Sequence, residues 1–298
     1  MKNFCGLVSI VGRPNVGKST LLNRLIEQKI SITSRKSQTT RNNILGIKTK
    51  DNYQMVFIDT PGVHINASKV MNKVLNQSAL GAIEDADLII FMLQRNKINT
   101  LDELILERLK ATQTKKICVI NKVDQVESIN SLLPVIEKLG SENEFAEIIP
   151  ISAKTGKNIN ELENMICENL PENNHLYDSN TKFLAKESFM ISEIIREKII
   201  RFLGQELPHE TYVQLQKLED NEDIINIDAE IIVARDSQKG IVVGKNGAKL
   251  KKIGEKARID LEKFFNKKVF LKTWVKTKKN WNNDSDFISS LGIGSLYD

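Results

Sequence analysis

Residues 12–19 read GRPNVGKS, a glycine-rich loop of the form GxxxxGK[ST]. The loop follows an apolar, strand-like run and precedes a helical stretch, which is the context in which such loops cradle phosphates. Its glycines let backbone N–H groups converge on phosphate oxygens, and the helix N-terminus adds partial positive charge. Lys18 is expected to neutralise the β- and γ-phosphates, and the Ser19 hydroxyl to ligate magnesium. The predicted phosphate-binding residues here are Gly12, Arg13, Pro14, Asn15, Val16, Gly17, Lys18, Ser19 and Thr20.

A second polar cluster, DTPG at residues 59–62, follows the apolar run 55–58. A carboxylate at this strand end can hold magnesium through water, and the Gly62 N–H can sense the γ-phosphate. DTPG alone is a weak signal, but its position after a phosphate loop strengthens it. This cluster extends the predicted phosphate site to Asp59, Thr60, Pro61, Gly62 and Val63.

Two further clusters predict selectivity for guanine. NKVD at residues 121–124 and SAK at residues 152–154 each follow an apolar run. The Asp124 carboxylate can accept two hydrogen bonds from guanine, whereas adenine would leave it buried and unpaired. We expect Lys122 to lie along the base and Asn121 to tie the base loop to the phosphate loop. The predicted guanine-binding residues are Asn121, Lys122, Val123, Asp124, Ser152, Ala153 and Lys154.

The elements that must position these clusters alternate along residues 1–170. Short apolar runs predict strands, and amphipathic stretches between them predict helices. Such alternation is typical of an α/β domain with a mostly parallel sheet and helices on both faces. The predicted strands cover 6–11, 54–58, 86–93, 116–120 and 148–151, and the predicted helices cover 19–28, 101–112 and 129–139.

The C-terminal part of the chain shows a different pattern and a concentrated positive charge. An amphipathic helix and two strands precede GKNG at residues 244–247, and a basic helix and a last strand follow. GXXG between helices is typical of a type II KH domain, whose loop clamps single-stranded nucleic acid. Residues 239–279 carry a net charge of +11, against +5 for the whole chain. This concentration favours a phosphate backbone as the ligand, although a solvated helix or anionic lipid would suit the charge alone. The predicted RNA-binding residues are Gly244, Lys245, Asn246, Gly247, Lys249, Lys251 and Lys252.

These patterns divide the chain into a GTPase domain at 1–172, a linker at 173–183, a KH domain at 184–280 and a tail at 281–298. The three cysteines lack any CxxC pair, so neither a zinc knuckle nor a disulfide framework is supported. Trp274 and Trp281 flank the last basic cluster and are candidates for stacking on bases, although core packing is favoured for Trp274, which sits in a strand.

The four ordered motifs resemble the translation-factor-related P-loop GTPases, and the whole chain resembles the Era-type GTPases with a C-terminal type II KH domain. The resemblance includes SITSRKSQTTR at 31–41, SEIIREK at 192–198 and LKTWVK at 271–276. It implies that Thr39 or Thr40, with Thr40 favoured, ligates magnesium only in the GTP state. Lys18, Thr40 and Gly62 would then act by positioning and electrostatics, without a general base.

Two positions refine that expectation. Val63 replaces the glutamine that orients water in Ras-like GTPases, so the resemblance implies slow hydrolysis that needs activation. In related enzymes an asparagine at the position of Asn15 helps bind potassium, which makes Asn15 a candidate potassium ligand beside Mg²⁺.

The resemblance implies a GTP- and GDP-binding switch that binds the 3′ end of small-subunit (16S) ribosomal RNA and acts in small ribosomal subunit assembly. A cytoplasmic monomer is expected, with peripheral association with the inner membrane as an additional expectation. One alternative is a GTP-dependent membrane or protein adaptor whose basic face binds anionic lipid. Another is a passive RNA-binding module in which the nucleotide is structural.

Overall fold

The computed structural model describes residues 2–33, 44–62, 69–142, 144–203, 210–291 and 293. The chain divides into two compact units, with the main boundary between Leu184 and Ala185. Strands and helices alternate through the first unit. The strands are β1 (Phe4–Val11), β2 (Ile44–Lys50), β3 (Tyr53–Asp59), β4 (Leu88–Gln94), β5 (Lys115–Asn121), β6 (Glu147–Pro150) and β7 (Phe183–Leu184). The helices are α1 (Lys18–Leu25), α2 (Val70–Glu84), α3 (Thr100–Lys110), α4 (Leu133–Glu142) and α5 (Ile159–Asn169).

The first unit is built on a seven-stranded sheet in the order β6-β5-β4-β1-β3-β2-β7. Strands β1, β3, β4, β5 and β6 are parallel, and all five coincide with the predicted apolar runs. Strands β2 and β7 are antiparallel additions that the sequence pattern did not predict. The mostly parallel α/β fold is therefore confirmed.

Helices cover both faces of this sheet. On one face Ile83, Leu106 and Leu139, from α2, α3 and α4, share a core cluster with Phe91 of β4. On the other face α1 approaches β2 so closely that a Cβ on Gly46 would lie 3.0 Å from a methyl group of Leu22. Parallel strands covered on both faces are expected to be apolar throughout, and β4 is buried along Leu88–Leu93.

The segment predicted as a linker, residues 173–183, is bound to the first unit. Gln54 of β3 is fully buried, and its side-chain oxygen accepts from the backbone N–H groups of Leu176 and Tyr177 at 2.8 and 3.0 Å. Its amide nitrogen donates to the Tyr177 carbonyl at 2.8 Å. Phe183 then enters the sheet beside Gly46. Local composition identified a break in the pattern, but not the buried side chain that holds this segment.

The second unit has the order helix, strand, strand, helix, helix, strand predicted for a type II KH domain. Its sheet has the order β10-β9-β8, with β9 parallel to β10 and antiparallel to β8. One core cluster joins the helices to the inner face of the sheet, with Ile195, Ile227, Ile231, Ile253 and Leu261 among its fully buried members. The elements are α6 (Glu187–Phe202), β8 (Thr211–Asp220), β9 (Ile224–Val233), α7 (Asp236–Val243), α8 (Ala248–Phe265), β10 (Lys268–Thr277) and α9 (Ser285–Ser290).

The region predicted as a tail, from residue 281 onward, packs within the second unit as far as Ile293. Trp281 is fully buried, and its indole N–H donates to the Glu210 carbonyl at 3.1 Å. The expectation that Trp281 stacks on bases is therefore wrong, because its ring is enclosed by the protein. No helix among the described residues is both long enough and apolar enough to cross a membrane.

Candidate nucleotide site and nucleic-acid interface

A cavity of about 590 Å³ opens at the carboxyl edge of the large sheet. Ligands of open α/β sheets bind at this edge, because the loops that follow parallel strands converge there. The cavity brings together residues from all four predicted motifs. Its lining residues are Pro14, Asn15, Gly17, Lys18, Ser19, Thr20, Ile32, Thr33, Gly62, Arg95, Asn121, Lys122, Asp124, Gln125, Ala153 and Lys154.

The phosphate loop has a backbone conformation that its glycines make possible. Gly12 and Gly17 have φ values of 156° and 116°, and Asn15 has a φ of 64°. The Lys18 side chain folds back over the loop, and its amino group donates to the carbonyls of Gly12 and Arg13 at 2.9 and 3.2 Å. Burial lowers the pKa of Lys18 to about 8, and the nearby Asp59 carboxylate offsets part of this effect. The loop therefore holds a desolvated cation where phosphate oxygens would approach.

The oxygen atoms beside Lys18 match the ligands that magnesium prefers. The Ser19 hydroxyl donates to the fully buried Asp59 carboxylate at 3.0 Å, and the Ser31 hydroxyl donates to the same oxygen at 2.6 Å. Magnesium is bound by oxygens in compact octahedral geometry and often by only one or two protein groups plus phosphates. Ser19 and Asp59 therefore fit Mg²⁺, while Thr40, the third predicted ligand, lies outside the described residues.

Gly62 lies directly against the phosphate loop. A Cβ at this position would lie 3.0 Å from Pro14 N and Cα, so only glycine fits without displacing the loop. The preceding Thr60 side chain points inward and donates to the Ile10 carbonyl at 2.8 Å. Thr60 thus fixes the path of the motif, whereas Gly62 reaches the cavity. Val63 lies outside the described residues.

Asn121 links the predicted base loops to the phosphate loop. Its amide nitrogen donates to the Val16 carbonyl at 2.8 Å, and its amide oxygen accepts from the Ala153 N–H at 3.0 Å. Both bonds are buried. One side chain therefore connects three of the four motifs. The sequence predicted its link to the phosphate loop but not its bond to Ala153.

Asp124 is oriented by Ser152. The Ser152 hydroxyl donates to an Asp124 carboxylate oxygen at 2.6 Å and accepts from the Thr155 N–H at 3.2 Å. Ser152 is fully buried behind Asp124, so its side chain supports the carboxylate and does not face the cavity. The motif pattern predicts Ser152 at the base site, but this side-chain role depends on the tertiary fold.

Lys122 spans the cavity's rim. It has a φ of 66°, and its amino group donates to the Asn15 carbonyl and to the Gln94 side chain, both at 2.6 Å. Burial, with a further contribution from the cations of Arg95 and Arg13, lowers the pKa of Lys122. Arg24 of α1 supports the other base loop by donating to the Lys154 carbonyl at 2.6 Å.

Several predicted residues do not line the cavity, and all of them except Arg13 are buried. They are Gly12, Arg13, Val16, Asp59, Thr60, Pro61, Val123 and Ser152. Arg13, for example, forms an ion pair at 3.1 Å with Asp102, a fully buried residue near the start of α3. Arg95 and Gln125 also line the cavity, although no sequence motif predicted them. Arg95 directly follows β4, so its position at the carboxyl edge of a parallel strand was the available signal.

In the second unit, residues 244–247 form the turn between α7 and α8. Gly244 and Gly247 have φ values of 74° and 77°, and Asn246 has a φ of 51°. A Cβ on Gly244 would lie 2.8 Å from the Lys249 side chain, whereas a Cβ on Gly247 would meet no heavy atom within 4 Å. Gly247 therefore leaves its backbone open to a ligand. Lys245, Asn246, Lys249, Lys251 and Lys252 are all exposed around this turn.

A groove of about 420 Å³ runs from Gly247 along α8 to β10. Its lining includes Lys251 and Arg258 of α8 and Leu271 and Thr273 of β10. Lys252 differs from the other predicted RNA-binding lysines in that its amino group lies 5.3 Å from the centre of the Phe202 ring. Glycine backbone, cations and an apolar wall are the features with which KH domains hold single strands.

Two family models match separate parts of the chain. Residues 7–122 match the family described as 50S ribosome-binding GTPase, and residues 206–282 match the KH domain family. These ranges contain the phosphate loop, the first residues of the NKVD motif and the GXXG turn.

Full-length relatives and solved structures match the whole arrangement. The chain is 46% identical over 292 residues to the GTPase Era of Glaesserella parasuis, covering 98% of this chain and 97% of that protein. It is also 46% identical over 290 residues to the GTPase Era of Coxiella burnetii, covering 97% and 98%. A crystal structure of Era with MgGDPNP and nucleotides 1506–1542 of 16S ribosomal RNA superposes with a TM-score of 0.94 and 36% identity, covering 97% of this chain and 99% of that chain. An Aquifex aeolicus Era variant bound to GDP·AlF4⁻ has a TM-score of 0.93 and 35% identity, covering 98% and 99%. The chain therefore belongs to the Era family of GTPases.

Proposed function

We propose that this protein binds and hydrolyses GTP in the first unit and binds small-subunit ribosomal RNA through its KH domain. The observation that carries the first half is the convergence of four motifs on one cavity. Asp124, held by Ser152, would accept the guanine N–H groups, while Asn121 keeps the base loops in register with the phosphate loop. Lys18 and the loop N–H groups would bind the phosphates.

We assign Mg²⁺ to Ser19 and, through water, to Asp59, with Thr40 as a further ligand in the GTP state. The bound ion would neutralise charge on the β- and γ-phosphates. Lys18 would hold the transferring phosphoryl group, and the Gly62 N–H would contact the γ-phosphate. No side chain is assigned as a general base, because phosphoryl transfer can proceed by positioning and electrostatic stabilisation.

Hydrolysis is expected to be slow in the isolated protein. Val63 carries no group that could orient water, in contrast to the glutamine of Ras-like enzymes. Asn15 lines the cavity and is proposed to help bind a potassium ion that stabilises developing charge. The backbone carbonyl of Asn15 already accepts a hydrogen bond from Lys122, so the side-chain amide oxygen is the group available to a cation.

For the second half of the proposal, we assign the GXXG turn and its lysines to RNA. A related Era was crystallised with nucleotides 1506–1542 of 16S ribosomal RNA, this chain shares that fold, and its own turn at residues 244–247 is charged. We therefore propose that the protein acts in the cytoplasm during assembly of the small ribosomal subunit. Nucleotide state would regulate RNA binding through the segments around Thr40 and Asp59–Gly62.

Single-turnover release of phosphate from γ-labelled GTP tests the enzymatic half. We expect slow release by the wild-type protein and none above background by Lys18→Ala. Equal release by both proteins would contradict the assigned site. Bound GTP that is never hydrolysed would instead support the passive module with a structural nucleotide.

Fluorescence anisotropy with the 16S fragment 1506–1542 tests the RNA half. We expect the double substitution Lys245→Asp and Asn246→Asp to abolish binding, and Lys263→Asp, which alters an exposed α8 lysine far from the turn, to weaken it only modestly. Flotation with phosphatidylglycerol vesicles examines the adaptor alternative. If the Lys245→Asp and Asn246→Asp double variant loses vesicle binding but still binds the RNA fragment, a lipid-binding adaptor is favoured. Repeating the RNA titration with GDP and with a non-hydrolysable GTP analogue tests regulation by nucleotide state.

A further inference from the structure

The side chains of β10 divide into two sets. Val269, Leu271 and Val275 point toward the helices and pack in the core of the second unit. Because successive strand residues point to opposite faces, the alternate residues lie on the outer face of the sheet. We call this set the β10 strip, and it consists of Lys268, Phe270, Lys272, Trp274 and Lys276.

The strip exposes aromatic rings between cations. Phe270 is 56% exposed, more than any other large apolar residue that the structure describes in this unit. Trp274 is half-buried, with its indole N–H donating to Glu230 at 2.9 Å, so its ring is held in one orientation. Lys272 lies between the two rings and places its amino group 6.0 Å from the centre of the Trp274 ring. Phe270 therefore presents an exposed ring beside the cations of the strip.

Among the described residues, the segment after β10 covers one end of this outer face. Near the end of the strip, Trp281 packs against Tyr212, with ring centres 6.0 Å apart, and the Tyr212 hydroxyl donates to the Leu291 carbonyl at 3.1 Å. At the opposite end, the described residues leave Phe270 and the lysines on either side of it exposed. The part of the chain that the structure describes therefore leaves the basic, aromatic end of the face exposed.

We propose that the β10 strip is a second contact site for single-stranded RNA, separate from the GXXG turn. Cations with interspersed aromatic rings are the arrangement with which proteins hold single strands, since phosphates meet the charges and bases stack on the rings. Strand residues four positions apart lie about 13 Å apart, so Lys268, Lys272 and Lys276 form a regularly spaced row. The row is also narrow, because the β9 carboxylates Asp228 and Glu230 lie beside it. A narrow cationic row bordered by carboxylates suits one RNA strand better than a broad anionic membrane.

The strip adjoins the groove assigned to RNA. Leu271 and Thr273 line that groove, and they alternate along β10 with Phe270, Lys272 and Trp274. β10 is an edge strand of the sheet, so a strand of RNA can pass over its free edge from one face to the other. A GXXG turn holds about four nucleotides, and the strip would bind nucleotides beyond them. The inference rests on the proposed RNA-binding function of the GXXG groove.

Binding of the 1506–1542 fragment to full-length variants tests the strip. Stacking on one aromatic side chain changes affinity by about fivefold to a hundredfold, so we expect Phe270→Ala to weaken binding within that range. Phe270→Trp should bind like the wild type, because it keeps a stacking surface. Leu104→Ala removes a similarly exposed apolar side chain from α3 and should change nothing. Lys272→Ala should reduce the slope of log affinity against log salt by about 0.7, the value for one lost phosphate contact on a single strand.

Photo-crosslinking locates the contact directly. RNA carrying 5-iodouridine should crosslink to a peptide containing Phe270, and Phe270→Ala should remove that crosslink. If the wild type binds the fragment and the strip variants bind equally well, the second site is wrong while the GXXG function stands. If the wild type does not bind the fragment, the proposed RNA function fails, and the strip with it. Loss of phosphatidylglycerol vesicle binding in Phe270→Ala, with RNA affinity unchanged, would also overturn the inference.

Discussion

The Ser152 hydroxyl donates a 2.6 Å hydrogen bond to the Asp124 carboxylate. This bond holds the carboxylate in one orientation before a base arrives. Charge-assisted hydrogen bonds are worth about 1.5–3 kcal/mol, so Ser152→Ala should weaken GDP binding by about tenfold or more. Isothermal titration with GDP measures the effect. Ser131→Ala removes an exposed serine hydroxyl from the same unit and should leave affinity unchanged. An unaltered affinity in Ser152→Ala would show that Asp124 needs no such support.

Asp124 itself should determine which base is accepted. Asp124→Asn replaces a group that accepts two hydrogen bonds with an amide that donates on one side, which suits the xanthine carbonyl instead of the guanine amine. We expect GDP affinity to fall by at least about a hundredfold and XDP affinity to exceed it. Competition titrations with both nucleotides check this reversal. Unchanged GDP affinity would contradict the assignment of Asp124 to the base.

Gly17 is the position at which the phosphate loop tolerates least change. It has a φ of 116°, and a Cβ would lie 2.2 Å from the Asn121 amide nitrogen. Gly17→Ala should therefore displace Asn121 and lower GDP affinity by about a hundredfold or more, since it removes the bond between the loops as well as straining the backbone. Gly247→Ala also places a Cβ at a positive φ, but it meets no heavy atom within 4 Å and lies in the second unit, so GDP affinity should stay at the wild-type value. Equal GDP affinity in the two variants would argue against the coupling role of Asn121.

Potassium should accelerate hydrolysis if Asn15 helps bind it. Removing one transition-state contact commonly costs about 10²–10³ in rate, so turnover in potassium chloride should exceed turnover in sodium chloride by about tenfold or more. Asn15→Ala should lose this difference while still binding GDP. Comparable turnover in both salts would exclude an activating role for potassium.

The sequence predicted the parts of the nucleotide site whose chemistry depends on local motifs. Lys18, Asn121 and Asp124 each follow an apolar strand, and parallel strands bring their carboxyl ends to one edge. The sequence could not reveal the structural role of Gln54. A glutamine inside an apolar run gives no sign that it will hydrogen-bond to a segment more than 120 residues away. Ser31 was recognised only as part of a longer motif, and its bond to Asp59 depends on the tertiary fold.

In the second unit, too, local motifs were predictable from the sequence and long-range packing was not. The GXXG turn and the surrounding charge were predictable, because both are local properties of the sequence. The burial of Trp281 was not, since its partners Tyr212 and Glu210 precede it by about 70 residues. Alternation along β10 was visible in the sequence, but the exposure of Lys268, Phe270 and Lys272 on its outer face depends on the tertiary fold.

Lys18 should link nucleotide binding to proton uptake. Its pKa is lowered from 10.5 to about 8, chiefly by burial, and phosphate groups beside it would raise the pKa again. At pH 8 about half of the nucleotide-free protein would carry a neutral Lys18, so GDP binding in magnesium-free buffer should take up about half a proton. Titration calorimetry in buffers of different ionisation enthalpy measures this uptake, which should become small near pH 6.5. The unfolded chain keeps the ordinary pKa and binds more protons between about pH 8 and 10.5, so this group's contribution to the free energy of unfolding rises with pH across that window. Lys18→Met should abolish that rise in the nucleotide-free protein. Proton uptake that does not change between pH 6.5 and 8 would contradict the lowered pKa.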